Sequence, residues 1–213
     1  MARLRLTEIF HSLQGEAASV GWRTVFVRLT GCPLRCGYCD TAYAFKGGDW
    51  WELDDILAEV ARYRVRHVTV TGGEPLAQPD CLPLLGALCD AGYQVSLETS
   101  GALDIAGVDQ RVVRVMDLKT PSSGECDSNL YSNIEQLRAD DQVKFVIADE
   151  ADYRWSCEQL GRYALSKRCD VLFSPVAGQM APTELAGWIL RDRLDVRFQL
   201  QLHKILWGDE PGR

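Results

Sequence analysis

Histidine is scarce in this chain of 213 residues, which holds only His11, His67 and His203. None of them stands at zinc-finger spacing from a cysteine pair, which weakens the case for a structural zinc site. Basic charge is also short. Lys and Arg number 23 against 30 Asp and Glu, a formal charge of −7, whereas a nucleic-acid partner normally requires a basic footprint. No apolar run is long enough to span a bilayer. The opening Met-Ala-Arg-Leu-Arg-Leu-Thr-Glu alternates charge with apolar residues and has no signal-peptide core. Without a leader, a chain of this size does not suggest a disulfide framework. No repeat, low-complexity tract or linker divides the sequence. Residues 1–213 are therefore expected to form one domain. It is expected to act on small molecules in the cytoplasm, without membrane or nucleic-acid partners.

Cysteine is not scarce, and its spacing is informative. Cys32, Cys36 and Cys39 fall in Gly31-Cys-Pro-Leu-Arg-Cys-Gly-Tyr-Cys-Asp-Thr41, a C-x3-C-x2-C pattern. Three thiolates on one loop can hold three irons of a cubane iron–sulfur cluster and leave the fourth iron open. A closed structural site uses four ligands, and an open position is where chemistry takes place. Zinc with a histidine as fourth ligand, or plain unligated thiols, are the alternatives. Cys81 and Cys89 lie in a leucine-rich helical stretch and read as small core residues. Cys126, Cys157 and Cys169 show no second paired spacing.

Runs rich in β-formers alternate with helical patterns. Strands are expected at Thr24–Leu29, His67–Thr71, Gln94–Thr99, Val112–Leu118, Gln142–Ile147, Asp170–Ser174 and Val196–Leu202. Leu53, Ile56, Leu57 and Val60 mark a helix, as do Leu82, Leu85 and Leu88. Leu185, Trp188 and Ile189 mark another, with Pro182 near its start. Residues 120–130 are rich in Ser, Gly and Asn and read as a loop. This order implies an α/β fold with a mostly parallel sheet. A pared-down, partial (β/α) barrel of about six parallel strands fits better than a complete eightfold barrel, which takes ~250 residues.

Each strand splits into two rows of side chains. Val25, Val27 and Leu29 oppose Phe26, Arg28 and Thr30; Val68 and Val70 oppose Thr69 and Thr71; Val95 and Leu97 oppose Ser96, Glu98 and Ser100. In the last strand Val196, Phe198, Leu200 and Leu202 oppose Arg197, Gln199, Gln201 and His203. An antiparallel sheet with one wet face gives the same alternation. A barrel with a polar lumen also gives it, and that reading is favoured because helical segments separate most of the strands. The polar rows run into the motif-bearing strand ends, including Asp117 and Lys119, where parallel α/β sheets place ligands.

The cysteine loop after a first strand, followed by Thr71-Gly-Gly-Glu-Pro75 after a second, resembles the radical S-adenosylmethionine (SAM) enzymes. The resemblance implies that SAM chelates the open iron of a [4Fe-4S] cluster. Reductive cleavage then gives methionine and a 5′-deoxyadenosyl radical that abstracts a substrate hydrogen. A narrower match covers nearly the whole chain. Glu8-Ile-Phe-His-Ser-Leu-Gln-Gly-Glu16, Phe26-Val-Arg-Leu-Thr-Gly-Cys32, Cys39-Asp-Thr41, Glu98-Thr-Ser-Gly101, Asp117-Leu-Lys119 and Gln201-Leu-His-Lys204 resemble the 7-carboxy-7-deazaguanine synthase family. That family converts 6-carboxy-5,6,7,8-tetrahydropterin to 7-carboxy-7-deazaguanine with loss of ammonia, on the path to queuosine.

Position by position, the resemblance implies cluster ligation by Cys32, Cys36 and Cys39 and a Mg²⁺ contact at Thr41. It implies SAM contacts at Tyr38, Asp40, Gly73, Glu74, Ser100, Asp117, Leu118, Lys119, Ser174, Pro175 and Val176. In this reading the glycines admit close backbone approach and Glu74 accepts hydrogen bonds from the SAM ammonium. Substrate contacts are implied at Leu13, Gln14, Gly15, Glu16, Arg28, Thr71 and Glu98. Arg28 is suited to a forked grip on the pterin carboxylate, with a structural salt bridge as the alternative. No side chain is an obvious general base; Glu16, Glu98 and Lys119 are candidates. A reducing partner such as a flavodoxin and a homodimer are expected on the same ground.

Several departures stand out. The family's Gln-Gly-Glu-Gly is Gln-Gly-Glu-Ala17 here, which disfavours a left-handed backbone. Ser100 stands where Asn is frequent, and Asp117-Leu118 where Ser-Pro occurs in some members. In some relatives the C-terminal residue reaches the substrate, but the ending Trp207-Gly-Asp-Glu-Pro-Gly-Arg213 carries no such expectation. A glycyl-radical activating enzyme shares the cysteine and Gly-Gly-Glu-Pro motifs and is the main enzymatic alternative. A structural or regulatory metal-binding protein is the non-enzymatic one.

Overall fold

The chain folds into β1 (Arg3–Leu13), β2 (Arg23–Leu29), β3 (Asp49–Glu52), α1 (Leu53–Arg62), β4 (His67–Gly72), α2 (Cys81–Asp90), β5 (Gln94–Thr99) and β6 (Val113–Asp117). It continues through β7 (Gln142–Ile147), α3 (Glu150–Arg162), β8 (Asp170–Pro175), α4 (Pro182–Asp192), β9 (Arg197–Phe198) and α5 (Leu202–Trp207). The computed structural model describes residues 2–208, 210 and 212, so Met1 and Arg213, the ends of the expected domain, lie outside the described residues.

One sheet runs β3-β1-β2-β4-β5-β6-β7-β8-β9. From β2 to β9 every neighbouring pair is parallel, while β1 pairs antiparallel with β2 and β3. The alternating rows therefore do not come from an antiparallel sheet. Val25, Val27, Leu29, Val68, Val70, Val95 and Leu97 enter one apolar core. Ile56 and Val60 of α1, Leu84, Leu85 and Leu88 of α2, and Leu185 and Ile189 of α4 cover that face. Burying such side chains contributes ~1.5–3 kcal/mol each.

The opposite, polar face is concave. Ala17 stands four residues beyond the end of β1, a reach of at most about 14 Å. Gln199 follows β9 directly, and seven flat inter-strand steps would put β1 and β9 about 34 Å apart. Yet the Ala17 N–H donates to Gln199 Oε1 at 2.7 Å. The sheet must curl into an open partial barrel, as expected. Segment 14–18 closes the end of the lumen where the parallel strands begin, with Ala18 N–H bonded to Gln142 Oε1 at the first residue of β7. Ala17 adopts the left-handed backbone that the sequence disfavours, with φ 62°. That conformation costs roughly 1–2 kcal/mol in an L-residue.

Several elements differ from expectation. The last strand is two residues long rather than Val196–Leu202, because Leu202 N–H turns away to Gly15 O and opens α5. Within α2 the buried face is Leu84, Leu85 and Leu88, and Leu82 is 37% exposed. Helix α3 buries Asp152, Tyr153, Ser156 and Gln159, and packs Trp155, Cys157 and Leu160 on the core beside these polar residues. Asp149 caps it by accepting from Asp152 N–H.

Asp141 is fully buried between two arginines. Its carboxylate accepts from Arg114 N, Nε and Nη2 and from Arg138 N and Nη2. Burial opposes the charge, but the arginine hydrogen bonds outweigh it and hold the carboxyl below its ordinary 3.8. Its stabilising contribution is therefore complete above that value and lost as pH falls through the lowered one. Asp141→Ala is expected to lower stability by ~3–5 kcal/mol, because it leaves buried guanidinium unpaired. Denaturant titration at neutral pH checks the loss, and the mutant's disadvantage should shrink on acidification.

Candidate active site

The parallel strands end around a cavity of about 490 Å³. The loop after β2 carries the cysteines, and its backbone is fixed on three sides. Gly31 N–H donates to Ala44 O, Glu74 N–H donates to Gly31 O, and Gly37 N–H donates to Ser123 O. Arg35 N–H adds a bond to Glu125 Oε1 at 2.6 Å. Gly73 crosses so close beneath that a Cβ there would stand 2.2 Å from Gly31 O and 2.8 Å from Cys32 Cβ. The close approach that the Gly-Gly pair permits is thus to the cysteine loop itself.

Cys32, Cys36 and Cys39 are half-buried and all face the cavity. No three His, Cys, Asp or Glu side chains among the described residues converge as a single ion such as zinc needs. A cubane cluster instead distributes its thiolates over separate irons. Three thiols that line one cavity fit that donor set. Burial pushes the Cys32 and Cys36 thiols up, so the thiolate form depends on bound iron.

Beyond the loop, Tyr38, Asp40, Gly73, Ser100, Asp117, Lys119 and Val176 line the cavity. Lys119 Nζ bonds Asp117 Oδ2 at 2.9 Å, which confirms their shared row. Asp117 Oδ1 is buried without a hydrogen-bond partner, an acceptor available to a cofactor hydroxyl or ammonium. Burial pushes the Tyr38 phenol up to about 12. Four expected cofactor positions are placed otherwise. The Glu74 carboxylate is fully buried and accepts from Thr99 Oγ1, Ser100 N, Ser100 Oγ and Leu76 N. It ties the β4 end to the β5 end and does not meet the cavity. Leu118 belongs to the apolar core, and Ser174 and Pro175 are buried beneath the cavity wall. Leu118 follows a strand row that turns to the helices, which its neighbours Asp117 and Lys119 do not.

The expected substrate positions do converge. Leu13, Gln14, Gly15, Glu16, Arg28, Thr71 and Glu98 all line the cavity. Arg28 makes the salt bridge of the alternative reading, and its side chain also lines the cavity. Its Nε pairs with Glu8 Oε1 at 2.7 Å, a carboxylate that also accepts from Tyr43 OH at 2.8 Å. The guanidinium lies 5.4 Å over the Phe10 ring, and Phe10 stacks on Phe26 at 4.9 Å with the planes 8° apart. The ion pair orients the fork, and its two terminal nitrogens make no hydrogen bond within the described residues. Gln14 is more committed. Its amide donates to Thr69 Oγ1 and Glu98 Oε1 and accepts from Glu16 N–H.

Charges pair across the lumen. Lys144 Nζ meets Glu16 Oε2 at 2.5 Å and Asp117 Oδ2 at 3.8 Å. Gln201 Nε2 donates to Glu16 Oε1 at 2.5 Å. Burial opposes charge on Glu16, but Lys144 outweighs it and the net shift is downward. Lys119 and Lys144 shift upward despite burial, held by Asp117 and Glu16 respectively. Glu98 goes the other way: burial, then the Glu16 carboxylate, push it up. Thr41 Oγ1 donates to Asp40 Oδ1 at 2.7 Å, and Lys204 Nζ lies 3.5 Å from Asp40 Oδ2. Sequence reasoning did not single out Lys144, His203 or the Phe10–Phe26 wall. A lysine inside the apolar run Gln142-Val-Lys-Phe-Val-Ile147 was the available signal for the first. Gly15 leaves room for His203, whose Nδ1 would stand 2.2 Å from a Cβ there.

Comparison with known proteins agrees with this construction. The Radical SAM superfamily model matches residues 26–117, from the strand before the cysteine loop to Asp117. The fold is similar to the crystal structure of QueE from Escherichia coli, with a TM-score of 0.80 at 24% identity, over 95% of this chain and 96% of that one. It is also similar to Streptococcus suis SuiB bound to precursor peptide SuiA, at TM-score 0.60 and 14% identity over 80% of this chain and 46% of that one. The family model marks a Radical SAM domain in this chain, and that superfamily implies a [4Fe-4S] cluster and SAM. The chain is 44% identical to the 7-carboxy-7-deazaguanine synthase of Chlorobaculum tepidum, over 98% of this chain and 96% of the relative. For the enzymes of that name from Koribacter versatilis and Thermoplasma acidophilum the identities are 42% and 36%, each over 97% of this chain. The chain belongs to the 7-carboxy-7-deazaguanine synthase family.

Gly73→Ala is expected to displace the cysteine loop and yield substoichiometric iron and sulfide after anaerobic reconstitution. Gly161→Ala, in open space on α3, should retain a full cluster.

Proposed function

We propose that this chain is a carbon–nitrogen lyase that converts 6-carboxy-5,6,7,8-tetrahydropterin to 7-carboxy-7-deazaguanine with release of ammonia. The carrying observation is Arg28, four residues before Cys32. Glu8 and Tyr43 hold its guanidinium beside a stacked aromatic wall. A planar heterocycle bearing a carboxylate matches a flat wall with a forked cation at its edge. The floor made by residues 14–18 encloses a volume suited to a small molecule, which supports a pterin over the protein backbone that a glycyl-radical activating enzyme must admit.

When bound at Cys32, Cys36 and Cys39, the cluster with SAM supplies the hydrogen-abstracting chemistry. The protein then orients and shields. Arg28 anchors the pterin carboxylate so that C6 faces the cluster side. Asp117 and Lys119, with Tyr38, Asp40, Gly73, Ser100 and Val176, form the cofactor wall. Among the three candidate bases, Glu16 is held ionised by Lys144, and Lys119 is held protonated by Asp117. Glu98, pushed toward its neutral form, is the group able to exchange a proton as ammonia leaves and the ring aromatises. Thr71 Oγ1, donating to Glu98 Oε2 at 3.3 Å, fixes that carboxyl.

The reading includes Mg²⁺ at Thr41. Asp40 adjoins it, and water and substrate oxygens would complete the coordination that this hard cation prefers. It also includes a flavodoxin-like reductant and a cytoplasmic homodimer, in which residues 1–213 act as one domain. No helix of the described residues is long and apolar enough to cross a membrane.

Anaerobically reconstituted protein with full iron and sulfide, supplied with dithionite, SAM and the carboxypterin, should form 7-carboxy-7-deazaguanine. Full cluster occupancy without that product would overturn the assignment. Arg28→Ala should weaken pterin binding about 10- to 100-fold, the worth of ~1.5–3 kcal/mol for hydrogen bonds to a charged group. Its cluster content should be unchanged. Loss of the cluster in that variant would mean that Arg28 serves the fold instead.

A further inference from the structure

Ala17 is left-handed with φ 62°, in a place where glycine would relieve the strain. It is also 2% exposed, so solvent does not pull it into shape. The peptide after it is held by Val20 N–H, which donates to Ala17 O, and by Gln142 Oε1, which accepts from Ala18 N–H. One side chain from late in the chain, however, reaches both flanking peptides. Gln199 Oε1 accepts from Ala17 N–H at 2.7 Å, and Gln199 Nε2 donates to Ala17 O at 3.0 Å. These two groups belong to the two peptide units on either side of the Ala17 Cα, so the single amide fixes both flanking planes. The amide is itself anchored. Gln199 is 6% exposed, and its own N–H donates to Phe173 O on β8.

The peptide before Ala17 also sets the direction of Glu16. From there the contacts run without a gap into the lumen. Glu16 meets Lys144 and Gln201 through its carboxylate, and its N–H donates to Gln14 Oε1. The Gln14 amide then reaches Thr69 and Glu98. If Ala17 returned to the negative φ that an L-residue prefers, the Glu16 peptide would swing and release Gln14 and Glu98 together.

We propose that Gln199 is a positioning residue for the substrate pocket, acting through the backbone of Ala17 and touching no substrate itself. This rests on the reading of residues 13–16 as the pterin-binding floor. Glycine at position 17 would hold the same conformation without the clamp, so Gln199 supplies in trans what the chain lacks locally. The coupling is therefore testable by rescue.

Equilibrium binding of 6-carboxytetrahydropterin is measured on the reconstituted enzyme with SAM and no reductant, alongside iron content, SAM affinity and thermal midpoint. Gln199→Leu should weaken pterin binding about tenfold, the scale of one or two lost hydrogen-bonded contacts. Iron content and SAM affinity should not change. Adding Ala17→Gly should restore binding to within about threefold of the parent protein. Unchanged binding in Gln199→Leu, or no rescue by Ala17→Gly, overturns the proposal. If Gln199→Leu does not fold, Gln199→Glu carries the test, since it keeps the acceptor for Ala17 N–H and loses the donor. If the parent protein itself does not bind the pterin, the functional reading fails. The clamp is then judged on thermal midpoints: partial recovery of the lost midpoint by Ala17→Gly supports it, and additive changes overturn it.

Discussion

Charge removed from water must find counter-charge, and this constraint organises the concave side of the barrel. Glu16, Glu98, Asp117, Lys119 and Lys144 stand within one lumen, and an unpaired ion there would cost several kcal/mol. The solution is a relay of contacts between strands distant in sequence: Lys144 of β7 with Glu16 after β1, and with Asp117 of β6. Glu98 stands outside this cation pairing and is the carboxyl displaced toward neutrality. A polar pocket on a parallel sheet is thus made stable by the same residues that give it chemical character. The apolar rows facing the helices carry the hydrophobic stabilisation, which leaves the inner rows available for charge.

Much of this was legible from residue order. Period-two alternation separated Val25, Val27 and Leu29 from Phe26, Arg28 and Thr30, and the fold turns those rows to opposite faces. Cysteine spacing picked out one loop whose three thiols the fold turns to a single cavity, because spacing within one loop is a local property. Glu74 was legible in its type but not in its contacts. Whether a carboxylate meets a ligand or a neighbouring strand depends on the Thr99 and Ser100 donors 25 and 26 residues away. Helix α3 escaped detection because buried polar residues, Asp152, Ser156 and Gln159, are interleaved with the Tyr153, Cys157 and Leu160 that it packs on the core. Strand β1 was missed for a different reason. Its eleven residues mix exposed arginines with half-buried positions, since it pairs on the antiparallel margin of a parallel sheet.

The cysteine loop and the Gly-Gly-Glu-Pro segment are one structural unit. Gly73 lets two backbones cross at contact distance, Glu74 N–H caps Gly31 O, and the Glu74 carboxylate fastens the end of β5. Three strand ends are thereby locked in register around the position where the thiols face inward. The pairing of these motifs in sequence reflects this mutual support, and neither segment would hold its geometry alone. Arg28 sits on the same framework, one strand residue before the loop begins to turn, so its guanidinium shares that rigidity.

The floor of the lumen has a temporal consequence. Ala17 emerges early in synthesis, but Gln199, which fixes it, is made 182 residues later. Gln201 and Leu202, which bond Glu16 and Gly15, follow directly. Contacts of such separation form late in folding, after loop-closure entropy has been overcome. A nascent chain carries the loop cysteines Cys32, Cys36 and Cys39 long before Gln199, and has no closed chamber until that later segment is made. The order of synthesis therefore keeps the cysteine loop apart from a finished chamber until the segment from Gln199 to Leu202 is in place.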